Sequence, residues 1–271
     1  MPLQIIPRSL TDDATLTVAP AAVAGLGAEN LQISDRGLVL RVLGAAATIT
    51  ATLTQLRRIG AVVLWRHLLS AVATWRVRAY DGIDGTGTLL YDSGTIPAVA
   101  SKTLGDLDWG IDPLGAPLAA VDFSSLTFDL VIARSLVIDV DDAGATAIQI
   151  GRLFAGSPLT LTHSIDWDSA LAWDSTTKRS RTASGGLRVE SEGVYRRMTI
   201  RHQWVLPEER ATVADLLRDA GNRAEVWVSQ RAGEGGRFEA DHALVGYLVD
   251  NSPLVRMPGI RYGLDFVIEE S

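Results

Sequence analysis

Apolar and polar residues alternate one for one in short segments along most of this chain. That period fixes extended strands with one buried face, because successive side chains on a strand point to opposite sides. Trp75, Val77 and Ala79 alternate with Arg76, Arg78 and Tyr80. A hairpin-type turn follows, Asp81-Gly82-Ile83-Asp84-Gly85-Thr86-Gly87, and Leu89 and Tyr91 resume the alternation. Leu126, Phe128, Leu130 and Ile132 repeat it, with Thr127 and Asp129 facing the other way. Ala61 to Trp65 and Leu136 to Val140 are continuously apolar, as in strands covered on both faces. Many short strands with frequent turns predict a β-sandwich or jelly roll over residues 1–156. Residues 1–36 are mixed in pattern and leave their packing open. Between Pro97 and Pro117 the alternation stops. Gly105, Gly110, Gly115 and three prolines predict a long surface loop there, carrying Trp109.

Residues 157–186 are polar and irregular, with a small echo in Trp167-Asp168-Ser169 and Trp173-Asp174-Ser175. Lys178, Arg179 and Arg181 make the end of this stretch basic. It reads as an extended arm or linker. A second domain, 187–271, opens on a long amphipathic strand in which Met198, Ile200, His202 and Trp204 alternate with Arg197, Thr199, Arg201 and Gln203. One helix is expected over 207–220. Pro207 stands in its first turn, Glu208 and Glu209 lie at the positive end of the dipole, and Gly221 ends it. Val213, Leu216, Leu217 and Ala220 form its apolar stripe. Strands at Ala224–Ser229, Ala243–Val249 and about Arg261–Glu269 complete a small β-barrel or split sheet carrying that helix.

Composition narrows the function classes. With Lys+Arg 25 against Asp+Glu 32, the net charge is −7 and neither half is basic, which argues against nucleic-acid binding. The absence of cysteine excludes disulfides, thiolate metal sites and thiol nucleophiles. The opening Met1-Pro2-Leu3-Gln4 does not read as a signal peptide, and no apolar run approaches the ~20 residues of a membrane span. Lysine occurs only at Lys102 and Lys178, so the cations are nearly all arginines, which suit planar contacts at interfaces.

Catalytic motifs are missing. There is no phosphate loop, no His-Glu-x-x-His and no Gly-x-Ser-x-Gly elbow, and Gly233-Glu234-Gly235-Gly236 reads as a mobile turn. Asp139 to Gly144 fails as a calcium loop, since Ala143 and Ile150 occupy its fifth and twelfth positions, and reads as a hairpin turn. His202 reads as a satisfied core or interface histidine, His163 and His242 as solvated. Asp166, Asp168 and Asp174 are candidates for the paired carboxylates of glycoside chemistry, and they read better as turn caps. No catalytic residue, cofactor or metal is therefore expected. The candidate site residues are Lys178, Arg179, Arg181, Arg197 and Arg201 for subunit contacts, with Trp109 and Trp167 as glycan-stacking candidates.

Val63-Leu64-Trp65-Arg66-His67-Leu68-Leu69-Ser70, Ala73 to Arg78, Leu90-Tyr91-Asp92-Ser93-Gly94 and Ile150 to Gly156 resemble a family of minor tail proteins of siphophages that infect Gram-negative bacteria. In that family this block is a galactose-binding-type jelly roll. The Arg-rich strand, the 207–220 helix, Trp227 and the closing strand ending Glu269-Glu270 are similar in order to a tail-tube or distal-tail barrel, although distal-tail proteins usually put the tube-type domain first. The resemblance implies a ring-forming structural adaptor of the virion tail tip, made in the host cytoplasm. A hexamer is preferred to a trimer. The implied partners are the tube protein and the hub, tape-measure or fibre proteins, with DNA passing through an acidic channel. The alternative is a carbohydrate-binding module contacting the host surface, and a hydrolase is the remotest reading.

Overall fold

The computed structural model describes the chain except residues 1, 2, 119, 120, 164, 165, 167, 182, 183, 222, 235 and 252, and describes the backbone alone at 178, 179, 190–192, 219 and 251. The first strands are β1 (Gln4–Ile6), β2 (Thr15–Ala19) and β3 (Leu40–Leu43), with 3-10 turns at Leu10–Asp13 and Ala28–Gln32. Then come β4 (Ala46–His67), β5 (Thr74–Tyr80), β6 (Leu89–Asp92), β7 (Ile96–Pro97), β8 (Phe123–Asp141) and β9 (Ala147–Gly156). The remainder is β10 (Leu159–Thr160), β11 (Ala170–Arg181), β12 (Leu187–Val205), α1 (Arg210–Asp219), β13 (Glu225–Ser229), α2 (Gly236–Asp241), β14 (Ala243–Asn251), β15 (Val255–Met257) and β16 (Arg261–Glu270).

The fold is mainly β, and its first unit is a sandwich built by two long strands that turn corners. The first part of β4, to Thr52, lies between β2 and β8, and its last part, from Ala61, lies between β9 and β8. The register breaks at Thr52/Arg57 and Ile59/Ala61 carry the strand from one layer to the other. Ile49, Ala51, Val62, Leu64, Trp75, Val77, Ile138, Ile148 and Ile150 fill the space between the layers. The same break corrects one expectation. β8 spends four residues, from Thr127 to Val131, where β4 spends two, so Leu130 and Ile132 end up exposed and Val131 turns toward the core.

The outer face of this unit is covered by the second sheet, ordered β10-β1-β13-β14-β16-β12-β11. Ala61, Val63, Trp65 and Phe154 pack there against Met198, Ile200, Trp227 and Phe266. That explains the unbroken apolar run from Ala61 to Trp65, every residue of which is buried. The sheet is open in its pairing and not a closed barrel, and β1 sits within it between β10 and β13. Residues 4–6 therefore belong to the second sheet, and the divide after residue 156 is not a clean domain boundary. The 157–186 stretch is largely strand, since β11 pairs along its length with β12. Its polar side chains lie on a ribbon that needs only one apolar face.

The expected helix is present as α1, three residues shorter at its start. The Glu209 carboxylate accepts hydrogen bonds from the Leu206 amide at 2.9 Å and the Thr162 amide at 2.7 Å, which fixes the turn before it. Gly221, at φ 45°, ends it. A second, one-and-a-half-turn helix, α2, begins at Gly236 and was hidden by the glycines of the Gly233-Glu234-Gly235-Gly236 sequence.

Candidate functional site: a projecting ribbon and an exposed loop

β12 pairs with β16 only from Arg197 to Val205. Residues 187–194 pair with β11 alone, so the hairpin continues past the sheet as a two-stranded ribbon. Val194 faces Ser175 while Ser191 faces Thr177, so β12 carries one extra residue between them, and Gly193 takes it up at φ 136°. This shifts the alternation. The face that carries buried Met198 and Ile200 continues outward as Val194, Val189 and Leu187. On β11, Leu171 stands opposite Met198 and Trp173 opposite Arg196, while Ser175, Arg179 and Arg181 hold the positions opposite Val194, Val189 and Leu187. The core stops at Met198, so Trp173, Val194, Val189 and Leu187 are all more than half exposed. A two-stranded ribbon alone is marginally stable in water. One with an uncovered apolar face gains about 1.5–3 kcal/mol for each large side chain that a partner surface buries completely.

The basic residues expected at subunit contacts fall on this hairpin and behave differently. Lys178 and Arg179 hold backbone positions opposite Glu190 and Val189. Arg181 Nη1 donates to the Gly185 carbonyl at 3.2 Å and braces the hairpin end. Arg197 has carboxylates at home, Glu269 at 3.6 Å and Asp174 at 3.9 Å, and Arg201 pairs with Asp168. Asp166 accepts from the Gln203 amide at 2.8 Å. The three carboxylates considered for glycoside chemistry are thus tied to β12 and share no cleft as free acids. Trp204 is exposed because a bulge between His202 and Val205 gives its inward place to Val205, and the Arg261 guanidinium lies 3.7 Å from its ring centre.

The 97–117 loop is exposed yet braced. Its ends are clipped by the Lys102 amide to the Ala116 carbonyl at 2.7 Å and the Leu118 amide to the Ala100 carbonyl at 2.8 Å. Lys102 Nζ donates to Asp112 Oδ2 at 2.6 Å, and the Asp108 amide to the same oxygen at 2.9 Å. Asp106 accepts from Thr103 Oγ1 at 2.7 Å and from the Arg237 amide at 3.1 Å, tying the loop to α2. Leu107, Ala116 and Leu118 turn inward. Leu104, Trp109 (77% exposed), Ile111 (83%) and Leu114 turn outward and form an apolar crown. Trp167, the other glycan candidate, lies outside the described residues. Single-residue reading missed this crown, and the signal was four large apolar residues amid glycine and proline.

Buried polar groups are structural. His67 Nε2 and Ser124 Oγ lie 2.8 Å apart, while His67 Nδ1 receives the Leu69 amide at 3.4 Å. The proton is thus assigned to Nε2, which donates to Ser124, and Ser124 donates to the Ala98 carbonyl at 2.5 Å. That direction is opposite to the one a serine nucleophile needs. Burial pushes the His67 imidazole down to about 4. His202 is likewise satisfied, through the Trp204 amide at 3.3 Å and the His163 carbonyl at 2.9 Å. Asp142 caps its turn from the Ser70 amide at 2.7 Å and the Gly144 amide at 3.1 Å, in keeping with a hairpin turn. Among the described residues no cluster of His, Asp and Glu could hold a metal ion. A cavity of about 340 Å³ lies between Trp75, Pro97, Phe123 and Ser124 of the sandwich and Gly236 and Glu239 of α2.

No family model matches the sequence, and no curated protein matches it. Among solved structures, a Ruminococcus gnavus GH29 fucosidase in complex with fucose is similar over 56% of this chain, at 12% identity and a TM-score of 0.40. This chain spans 27% of that enzyme's length. A chitosan-binding module of a Paenibacillus sp. chitosanase/glucanase is similar over 55% of this chain and 98% of its own, at 11% identity and a TM-score of 0.39. A Streptococcus pneumoniae fucose binding module is similar over 55% of this chain and 94% of its own, at 10% identity and a TM-score of 0.39.

Proposed function

We propose that the protein is a non-catalytic assembly subunit of a bacteriophage tail tip, forming a ring that joins the tail tube to the parts below it. The observation that carries the assembly half of this reading is the ribbon, an apolar face that leaves the core and continues uncovered through Val194, Val189 and Leu187. Such a face is built to be covered by another chain. The tail setting rests on the sequence resemblance of the sandwich block and the C-terminal element order. A net charge of −7 suits a channel that must not retain DNA. The test is light scattering with negative-stain imaging. A closed ring, a hexamer before a trimer, is expected, and replacement of residues 175–190 by a short Gly/Asn turn should reduce it to monomers that still fold. Unchanged assembly in that variant would sink the reading.

Carbohydrate binding by the sandwich is the second reading. The specific observation in its favour is Trp109, an exposed ring on a braced loop. Sugars are also what the chitosan-binding and fucose binding modules above are named for. A glycan array separates the two readings, because Trp109→Ala would abolish any signal that comes from stacking on this ring.

A further inference from the structure

We propose that the apolar crown of the 101–118 loop docks on the ribbon of a second copy of this chain. The inference rests on the assembly reading above and names the two surfaces that meet. Each surface carries four exposed large apolar side chains. On the loop these are Leu104, Trp109, Ile111 and Leu114, and on the ribbon Trp173, Leu187, Val189 and Val194.

Their charges are complementary within a chain that is acidic as a whole. Residues 175–193 hold Lys178, Arg179, Arg181 and Arg188 against Glu190 and Glu192. The loop holds Asp106, Asp108 and Asp112 against Lys102. A uniformly acidic surface would repel its own copy, whereas this pairing sets the basic segment against an acidic one.

The loop's own hydrogen bonding favours a protein partner over a sugar. A sugar platform needs polar side chains converging beside the ring. Here Lys102 and Asp112 are spent on each other and Asp106 on Thr103 and Arg237, so Asp108 is the single loop carboxylate left beside Trp109 and the other exposed neighbours, Leu104, Ile111 and Leu114, are aliphatic. Those same bonds hold the loop in shape before docking, which lowers the ordering cost of association.

The chain has no cysteine, so single introduced cysteines report the contact cleanly. Leu114→Cys and Leu187→Cys are made separately on chains with different tags and mixed under mild oxidation. The docking predicts a disulfide-linked heterodimer in at least tenfold excess over the linked product of either variant alone. Trp109→Ser combined with Ile111→Ser should lower the solution mass to that of a monomer and leave the far-ultraviolet circular dichroism of the folded chain unchanged. If wild type is multimeric but the mixed cysteines do not link preferentially, the docking is wrong and the assembly reading stands. If wild type is monomeric at every concentration, both fall. If the double variant stays multimeric and instead loses a glycan-array signal, the crown is a sugar platform and the docking is overturned.

Discussion

At the scale of single residues, two buried ionisable groups give the protein a measurable dependence on pH and on charge. His67 is neutral in the fold, with burial holding its imidazole near 4 against an ordinary 6.5. Between those values the unfolded chain takes up a proton that the folded chain refuses, so this contribution to stability is complete above pH 6.5 and is lost as the pH falls toward 4. The loss is about 3 kcal/mol by pH 4. Urea midpoints at pH 7 and pH 4.5 should draw together in His67→Asn, and an unchanged difference would show that His67 is not the sensor. Arg152 is the other case. Its Nε donates to Glu225 Oε2 at 2.8 Å, its Nη1 to the Leu31 carbonyl at 2.9 Å, and Asp12 lies 2.8 Å away. Burial pushes the Asp12 carboxyl up despite that arginine. Arg152→Ala would strand the buried Glu225 carboxylate beside the partly buried Asp12 and cost about 3–5 kcal/mol. The Arg152→Met, Glu225→Met pair should recover most of that in the same denaturation assay.

At the scale of elements, the strands were legible wherever the alternation ran unbroken, and obscured wherever a bulge reset it. Trp75, Val77 and Ala79 lie inward as their spacing requires. Leu130, Ile132 and Trp204 do not, because register breaks in β8 and β12 reverse the inward face, and a break depends on the partner strand, which a linear reading does not contain. The same cause hid the ribbon. Leu187 and Val189 are out of phase with Met198 until Gly193 is recognised as an inserted residue. The loop's Trp109 was legible as exposed, but Leu104, Ile111 and Leu114 became part of a surface only when bracing fixed which way they turn. Gly246 shows how little room the second sheet leaves. A Cβ there would stand 2.0 Å from the Glu269 carbonyl oxygen, so Gly246→Ala must part β14 from β16. It should cost about 3 kcal/mol or more and weaken amide-exchange protection along Ala243–Asn251 and Arg261–Glu270.

At the scale of the whole molecule, the two sheets share one seam and not a linker. Trp65 and Phe154 of the sandwich are buried in the same cluster as Trp227 and Phe266, Arg152 reaches across to Glu225, and Ser34 Oγ meets the Tyr247 hydroxyl at 2.9 Å. Calorimetry should therefore give a single unfolding transition, and a fragment starting at residue 157 should be unstructured. Two resolved transitions would contradict this. The place of β1 has a further consequence, for the order of synthesis. Ile5 pairs with Val228, more than two hundred residues later in the chain. On the ribosome the sandwich strands can close on one another once Gly156 has emerged, but β1 then has only the two-residue β10 to pair with, and its other edge stays open until β13 is made. A nascent chain arrested before residue 225 should consequently be sticky at Ile5 and Ile6, however well its sandwich has formed.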